Sequence, residues 1–189
     1  MAEIDIRPAA AGDAPAIAQV RVDSWRTTYR GLIPDAYLDA MQVDASAALW
    51  ERVLSADATT ASVFVATHDG EVIGFAAANV LKEPKHGADA EITAVYLRRE
   101  YQHAGIGRRL LAAVVDALRR HGATAMIVWV IAGNKVARAF YESLGGELVI
   151  EQPFQWDGMD LIEAGYVFHD LPALTAAPPP TGSTPSTLH

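Results

Sequence analysis

At 189 residues the chain has the length of one domain, and a content of 51% hydrophobic and 20% charged residues is ample for a core and too apolar for a disordered chain. It has no cysteine, which excludes disulfides, thiolate metal sites and a cysteine acyl carrier, and its formal charge of −8 argues against general nucleic-acid binding, which needs a basic face. With no run near the roughly 18 apolar residues of a membrane span, and no basic-then-apolar order at the N-terminus, a cytoplasmic protein is expected.

Ile4 and Ile6 alternate with polar neighbours as a short first strand, and Asp13 with Pro15 supplies a cap and first-turn proline for a helix running toward Arg26. Pro34 opens a short helical segment through Met41, and Asp44 caps another that carries Ala48, Leu49, Val53 and Leu54. Two β-runs joined at Asp69-Gly70 read as a hairpin, and Ala90 to Leu97 is a further β-run. From Gly105 the apolar residues Ile106, Leu110, Leu111, Val114, Val115 and Leu118 recur at helical spacing until Gly122. Ala125 to Ile131 is continuously apolar, as in a strand buried on both faces at a sheet centre. Asn134 caps a helix through Leu144, and Glu147 to Trp156 and Asp160 to Phe168 flank Asp157-Gly158 as a closing strand pair. The order is mixed α/β, or α+β, and not a regular doubly wound repeat. Residues 172–189 hold five of the ten prolines and no charged side chain, which predicts a domain over residues 1–171 and a flexible tail over 172–189.

Charge is unevenly placed. Between Arg98 and Arg120 lie six arginines against Glu100 and Asp116, so this stretch carries +4 and the remainder −12. Within it, Gln102-His103-Ala104-Gly105-Ile106-Gly107-Arg108 joins a strand to the amphipathic helix. Glycines there let the backbone close around a ligand, and a helix start offers free N–H groups and a positive dipole end to phosphate. No GK[ST] follows, and Leu110 stands where a dinucleotide fingerprint has its third glycine, so ATP and NAD are disfavoured. A glycine-bearing turn with no ligand is the alternative to an anion cradle. Arg119 and Arg120, at the far end of the helix, fit a dipole and solubility role.

Gln102-x-x-Gly105-x-Gly107, after a β-run and before a helix, resembles the acetyl-CoA-binding motif of the GNAT superfamily of N-acetyltransferases, and the likeness extends over residues 1–171. It implies the GNAT acyl-CoA N-acyltransferase fold, a mostly antiparallel twisted sheet of six or seven strands with flanking helices. It also implies acetyl-CoA as co-substrate, with main-chain groups of Val95 and Leu97 pairing with the pantetheine arm and the amides of His103, Ala104, Gly105, Ile106, Gly107 and Arg108 holding the pyrophosphate. Coenzyme A carries about four negative charges, which suits the +4 segment. By the same resemblance Asn134 contacts pantetheine or the thioester, Tyr141 protonates the departing thiolate, and the Val95 N–H meets the developing oxyanion. Seven residues, about two helical turns, put Asn134 and Tyr141 on one face; a helix cap and a packed tyrosine are the alternatives.

An attacking amine must lose a proton, since a free ammonium has a pKa near ~10.4. Glu91, among apolar neighbours and in the strand where many GNAT enzymes carry a glutamate, is the expected base; a solvent-facing strand glutamate is the other reading. Trp25 and Tyr29, four residues apart in SWRTTYRGLIP, resemble one wall of the acceptor cleft in a bacterial subset of the superfamily, and core packing explains them equally well. The six histidines form no metal-ligand spacing, so no metal is expected. The acidic remainder leans toward a small cationic amine as acceptor, taken by direct transfer in a ternary complex. A non-catalytic acyl-CoA-binding module and a protein or peptide N-acetyltransferase are the alternatives. Homodimers are common in the superfamily, and no interface signature stands out.

Overall fold

The computed structural model describes residues 3–56 and 61–176. Seven strands form one sheet in the order β1-β2-β3-β4-β5-β7-β6. They are β1 (Asp5–Pro8), β2 (Ala61–His68), β3 (Glu71–Lys85), β4 (Ala88–Leu97), β5 (Met126–Ile131), β6 (Glu147–Trp156) and β7 (Met159–Phe168). Every neighbouring pair is antiparallel except β4 and β5. Six helices accompany them: α1 (Ala14–Thr28), α2 (Asp35–Ala40), α3 (Val43–Ser55), α4 (Ile106–Arg120), α5 (Lys135–Ser143) and α6 (Leu171–Thr175). This is the mixed α/β fold with a seven-stranded, mostly antiparallel sheet.

The pattern of apolar residues decides which face each helix covers. The buried stripe of α4, from Ile106 through Leu110, Leu111, Val114, Val115 and Leu118, packs with residues of α5, β5 and β7 in one large core. On the opposite face, α1 and α3 close over Val65, Phe75, Ala77 and Ala94, with Trp50 edge-on to Phe75. β5 is interior to the sheet and buried along most of its length, as its apolar run predicts. The two-residue turns Asp69-Gly70 and Asp157-Gly158 have positive φ at both residues, as tight hairpins require.

Four local expectations change. Asp13 is the N-cap of α1 by position, but its carboxylate accepts from the Ala10 N–H and from Arg7 and so closes the preceding 3₁₀ turn. Asp44 lies in the first turn of α3, whose N-cap is Gln42. β3 runs on to Lys85 and turns at His86-Gly87, both at positive φ, making a second hairpin that a histidine at a turn position concealed. Leu171 and Leu174 of α6 are buried against α4, so the packed chain continues past the Pro172 boundary set by composition. Residues 177–189 of the expected tail lie outside the described residues.

β4 has two irregularities. Its register against β3 passes from Ala78↔Ile92 to Ala77↔Ala94, leaving Thr93 as an extra residue. Ala90 and Ile92 therefore point into the α4 core before this bulge, Val95 and Leu97 after it, while Glu91, Ala94 and Tyr96 take the opposite face. In addition, β4 pairs with β5 only from Ala90↔Met126 to Ile92↔Val128. Beyond that point the two strands have no ladder between them.

Asp89 pins the closed end of this junction. Its carboxylate accepts from the Thr124 N–H at 3.0 Å, the Thr124 hydroxyl at 2.7 Å and the Ala125 N–H at 3.0 Å. Burial raises its pKa, but these hydrogen bonds outweigh burial and leave it below the usual aspartate range. Removing the carboxylate in Asp89→Ala is expected to cost about 1–2 kcal/mol in urea denaturation near neutral pH. Because the folded value is depressed, the contribution is complete above the unfolded pKa near ~3.9 and fades as pH falls through the lower folded value. The stability difference between the two proteins should therefore narrow below about pH 4.

Candidate active site

Where β4 parts from β5, its main chain has an edge to offer. The Arg98 N–H donates to the Ile73 carbonyl of β3, so by the alternation of an antiparallel ladder Tyr96 also faces β3, and the N–H and C=O groups of Val95 and Leu97 face the gap. One of those groups is used: the Gln102 side-chain amide donates to the Leu97 carbonyl at 3.0 Å. Gln102 thus braces the following loop onto the end of β4, which is a geometric reason for glutamine at this motif position.

The loop from Gln102 to Gly105 is exposed and leads into α4. His103 (φ 62°) and Gly105 (φ 77°) both adopt left-handed backbone, a conformation that turns consecutive amides toward one side. Gly105 is the N-cap of α4, and no side chain caps the helix. The first-turn amides of Ile106, Gly107 and Arg108 thus carry the positive end of a 15-residue helix without a resident acceptor from a cap. A Cβ on Gly107 would stand 3.7 Å from Phe140 of α5, so the start of α4 lies beside α5.

Five of the six arginines divide, and Arg99 opens the 3₁₀ turn that follows β4. Arg98 is 3.7 Å from Glu71, Arg109 donates to the Ile4 carbonyl at 2.9 Å, and Arg119 and Arg120 pair with Asp116 at the far end of the helix. Arg108 flanks the amides in the first turn of α4.

Across the gap, α5 brings two further residues. The Asn134 side chain is its N-cap, with Oδ1 accepting from the Ala137 N–H at 3.1 Å. That bond orients the amide, which lies near enough to the Tyr29 phenol to oppose the rise that burial gives its pKa. Tyr141 is only 6% exposed, its ring packed on Phe140 and Phe168. Its hydroxyl is not one of the sealed unpartnered side-chain atoms among the described residues, which are Ser24 Oγ, Ser46 Oγ and Trp50 Nε1. Burial, followed by the nearby Tyr96 phenol, pushes the Tyr141 pKa well up, so the group holds its proton across the neutral range. The helix is held from behind by Tyr166 of β7, which donates to Glu142 at 2.7 Å and accepts from Arg138 at 2.9 Å.

Trp25 and Tyr29 occupy this region but present little surface, being 7% and 9% exposed. The Trp25 N–H donates to the Tyr96 hydroxyl at 2.8 Å, and its ring stands edge-on to Tyr29 and beside Trp156. Packing is the part of their reading that the geometry favours: they brace α1 against β4. The more exposed aromatic here is Trp156, at 39%, whose N–H donates to the Tyr37 hydroxyl at 3.0 Å. Tyr29, Tyr96 and Tyr141 converge, and burial raises the pKa of all three phenols.

Glu91 is half-buried on the sheet face opposite α4, and desolvation raises its pKa above the ordinary glutamate value. Lys85 opposes that shift and Glu163 reinforces it. Glu163 and Trp129 carry no signal in the sequence. Trp129 is one apolar residue in a buried run and Glu163 one acid in a closing strand; only the sheet order brings β7 beside β5 and both onto the face of Glu91.

Residues 20–146 match the model of the acetyltransferase (GNAT) family. The chain is 38% identical over 172 residues to the uncharacterized N-acetyltransferase YuaI of Bacillus subtilis, covering 90% of this chain and 96% of that one. It is 23% identical to a spermidine N(1)-acetyltransferase of Thermoplasma acidophilum, over 80% of this chain and 98% of the relative. The fold resembles the crystal structure of the PaiA N-acetyltransferase from Thermoplasma acidophilum in complex with coenzyme A, with a TM-score of 0.68, 23% identity, and coverage of 86% and 98%.

The causes of the Glu91 shift can be separated by NMR titration of its carboxyl carbon. Lys85→Ala should raise the Glu91 pKa further and Glu163→Gln should lower it, while desolvation keeps the value above that of a free glutamate in both variants.

Proposed function

The chain belongs to the acetyltransferase (GNAT) family, and we propose that it moves acetyl from acetyl-CoA directly to the primary amine of a cationic small molecule within a ternary complex. The observation that carries this reading is adjacency: the unpaired edge of β4 leads, through a short 3₁₀ turn and the loop that Gln102 ties to Leu97, to the uncapped N-terminus of α4. An extended, amide-rich arm ending in a diphosphate fits that sequence of groups, since strand donors and acceptors suit the arm and helix amides suit the anion. When bound, acetyl-CoA supplies a thioester whose carbonyl carbon accepts the amine lone pair as the carbon–sulfur bond breaks.

The chain's own groups then have distinct tasks. Val95 and the Leu97 N–H align the arm, and the Val95 N–H is the donor aimed at the developing oxyanion. His103, Ala104, Gly105, Ile106, Gly107 and Arg108 hold the diphosphate through main-chain amides, with the Arg108 guanidinium adding charge. Gln102 acts through Leu97, keeping that loop in register with the strand. Asn134 sets the start of α5. Glu91 Oε takes the proton that the ammonium must lose, helped by a raised pKa that moves it toward the working range. Tyr141 Oη gives its proton to the departing sulfur and is reprotonated by the second proton that the newly acylated nitrogen sheds; burial keeps the phenol protonated until the thiolate forms beside it. Trp25 and Tyr29 support the acceptor side from beneath, and the acidic character of the chain outside residues 98–120 favours a cationic acceptor.

A free-thiol assay over a panel of small amines and N-terminal peptides tests the reading. Turnover should occur with small amines, and initial rates should give intersecting double-reciprocal lines. Peptides alone being acetylated would reassign the acceptor, and tight acetyl-CoA binding without turnover on any amine would overturn the transferase mechanism. Tyr141→Phe and Glu91→Gln should each lower kcat by about 10²-fold or more while acetyl-CoA binding by calorimetry is retained. Gly105→Val, which forces a β-branched side chain into left-handed backbone, should instead weaken acetyl-CoA binding.

A further inference from the structure

The sheet face that carries Glu91 also carries a second carboxylate at a defined distance. β5 puts Ile127, Trp129 and Ile131 on this face: Ile127 and Trp129 pack with Val167, and Ile131 packs with Trp25 and Tyr96. Glu91 of β4 lies opposite Ile127, and Glu163 of β7 lies opposite Ile131. Gly165, two residues beyond Glu163, confirms the orientation of β7, since a Cβ there would stand 2.8 Å from the Trp129 ring. Trp129 therefore occupies the sheet between the two acids.

The indole is half-buried and bordered at 5.6 Å by the ring of His86 from the β3–β4 turn. Glu163 is half-buried too, and one of its oxygens accepts from Gln152 at 2.8 Å, which fixes the carboxylate against the floor. Four residues of β5 separate the levels of the two acids, about 13 Å at 3.3 Å per residue, before the glutamate side chains reach inward. The helices α1 and α3 cover β2, β3 and the Ala94–Tyr96 part of β4, and the end of α1 reaches Ile131 through Trp25, while Ile127 and Trp129 lie outside both clusters.

We propose that Glu163 is a specificity-determining residue that anchors a second cationic group of the acceptor, with the intervening methylene chain lying on the Trp129 indole and the reacting amine at Glu91. The substrate class is then a diamine or polyamine rather than a monoamine. The physical case rests on complementarity of three parts. An indole face favours both a methylene chain and a nearby ammonium. A carboxylate held by a neighbouring amide needs little reordering to receive a cation. The repulsion between the Glu91 and Glu163 charges, which Lys85 opposes at Glu91, is relieved when a dication bridges them.

This inference rests on acetyl transfer at Glu91, and the experiment separates the two. With α,ω-diamines and chain-matched n-alkylamines in the thiol-release assay, the wild-type protein should favour the best diamine by about 10-fold or more in kcat/KM. Glu163→Gln should remove that preference, lowering kcat/KM for diamines about 10–100-fold, mainly through KM, while the KM values for alkylamines and for acetyl-CoA stay unchanged and the change in kcat that follows from the lowered Glu91 pKa is common to both amine classes. Equal use of both amine classes by the wild type, or an equal loss on both in Glu163→Gln, overturns the anchor while leaving the transferase reading in place. If no amine is turned over, the transferase reading falls, and tryptophan fluorescence still decides the anchor. Diamine-dependent quenching that is lost in Trp129→Phe and weakened in Glu163→Gln supports it; no such quenching overturns it.

Discussion

The structure depends on one limited contact, the parallel ladder between β4 and β5 that ends at Ile92 and Val128. A parallel pair cannot be joined by a tight turn, so the chain leaves β4, travels through α4 and returns in β5. That crossover puts a helix N-terminus at the end of β4, and the early end of the ladder leaves main-chain groups of β4 without a strand partner beside it. A buried sheet with unpaired polar groups is ordinarily unfavourable. Here the unpaired groups line a slot, closed at one end by the Ala90–Ile92 ladder that Asp89 pins to Thr124 and Ala125 and open at the other toward Gln102.

The Thr93 bulge is the second device. Without it, Glu91 and Val95 would share a face and crowd into the α4 core or its opposite. One extra residue sends the hydrophobic side chains of Val95 and Leu97 toward α4 while Glu91 and Tyr96 look the other way. The strand thereby supplies packing on one face, titratable groups on the other and main-chain donors along its edge. Burial adjusts the titratable groups: three phenols have raised pKa values and stay protonated, and the pKa of Glu91 is raised as well.

Burial also redistributes roles among the aromatic residues. Trp25 and Tyr29 stand at the expected acceptor wall, yet the Trp25 N–H is engaged by Tyr96, both residues are buried and their rings pack on one another. The accessible aromatic surface belongs to Trp129 and Trp156, contributed by β5 and by the β6–β7 hairpin. Asn134 is likewise committed, its side chain capping α5 through the Ala137 N–H.

Features that depend on short-range pattern are legible in the residues alone. The α4 stripe, the apolar β5 run, the Asp-Gly turns and the Gln102-to-Gly107 loop are each specified by residues within a few positions of one another, because helix period, turn stereochemistry and capping are local. Less was legible where an unusual residue did a common job, as His86 does in the second hairpin, or where composition suggested a tail but two leucines in Leu171–Thr175 found a helix to pack on. Assembly of the whole chain settles which side of the sheet each acid occupies, which arginines are committed elsewhere, and that β7 inserts between β5 and β6. These arise from strand order, from a one-residue bulge that reverses side-chain direction and from contacts between residues up to 119 positions apart. No local periodicity encodes them, and so Glu163 and Trp129 became visible as neighbours of Glu91 only once the sheet was assembled.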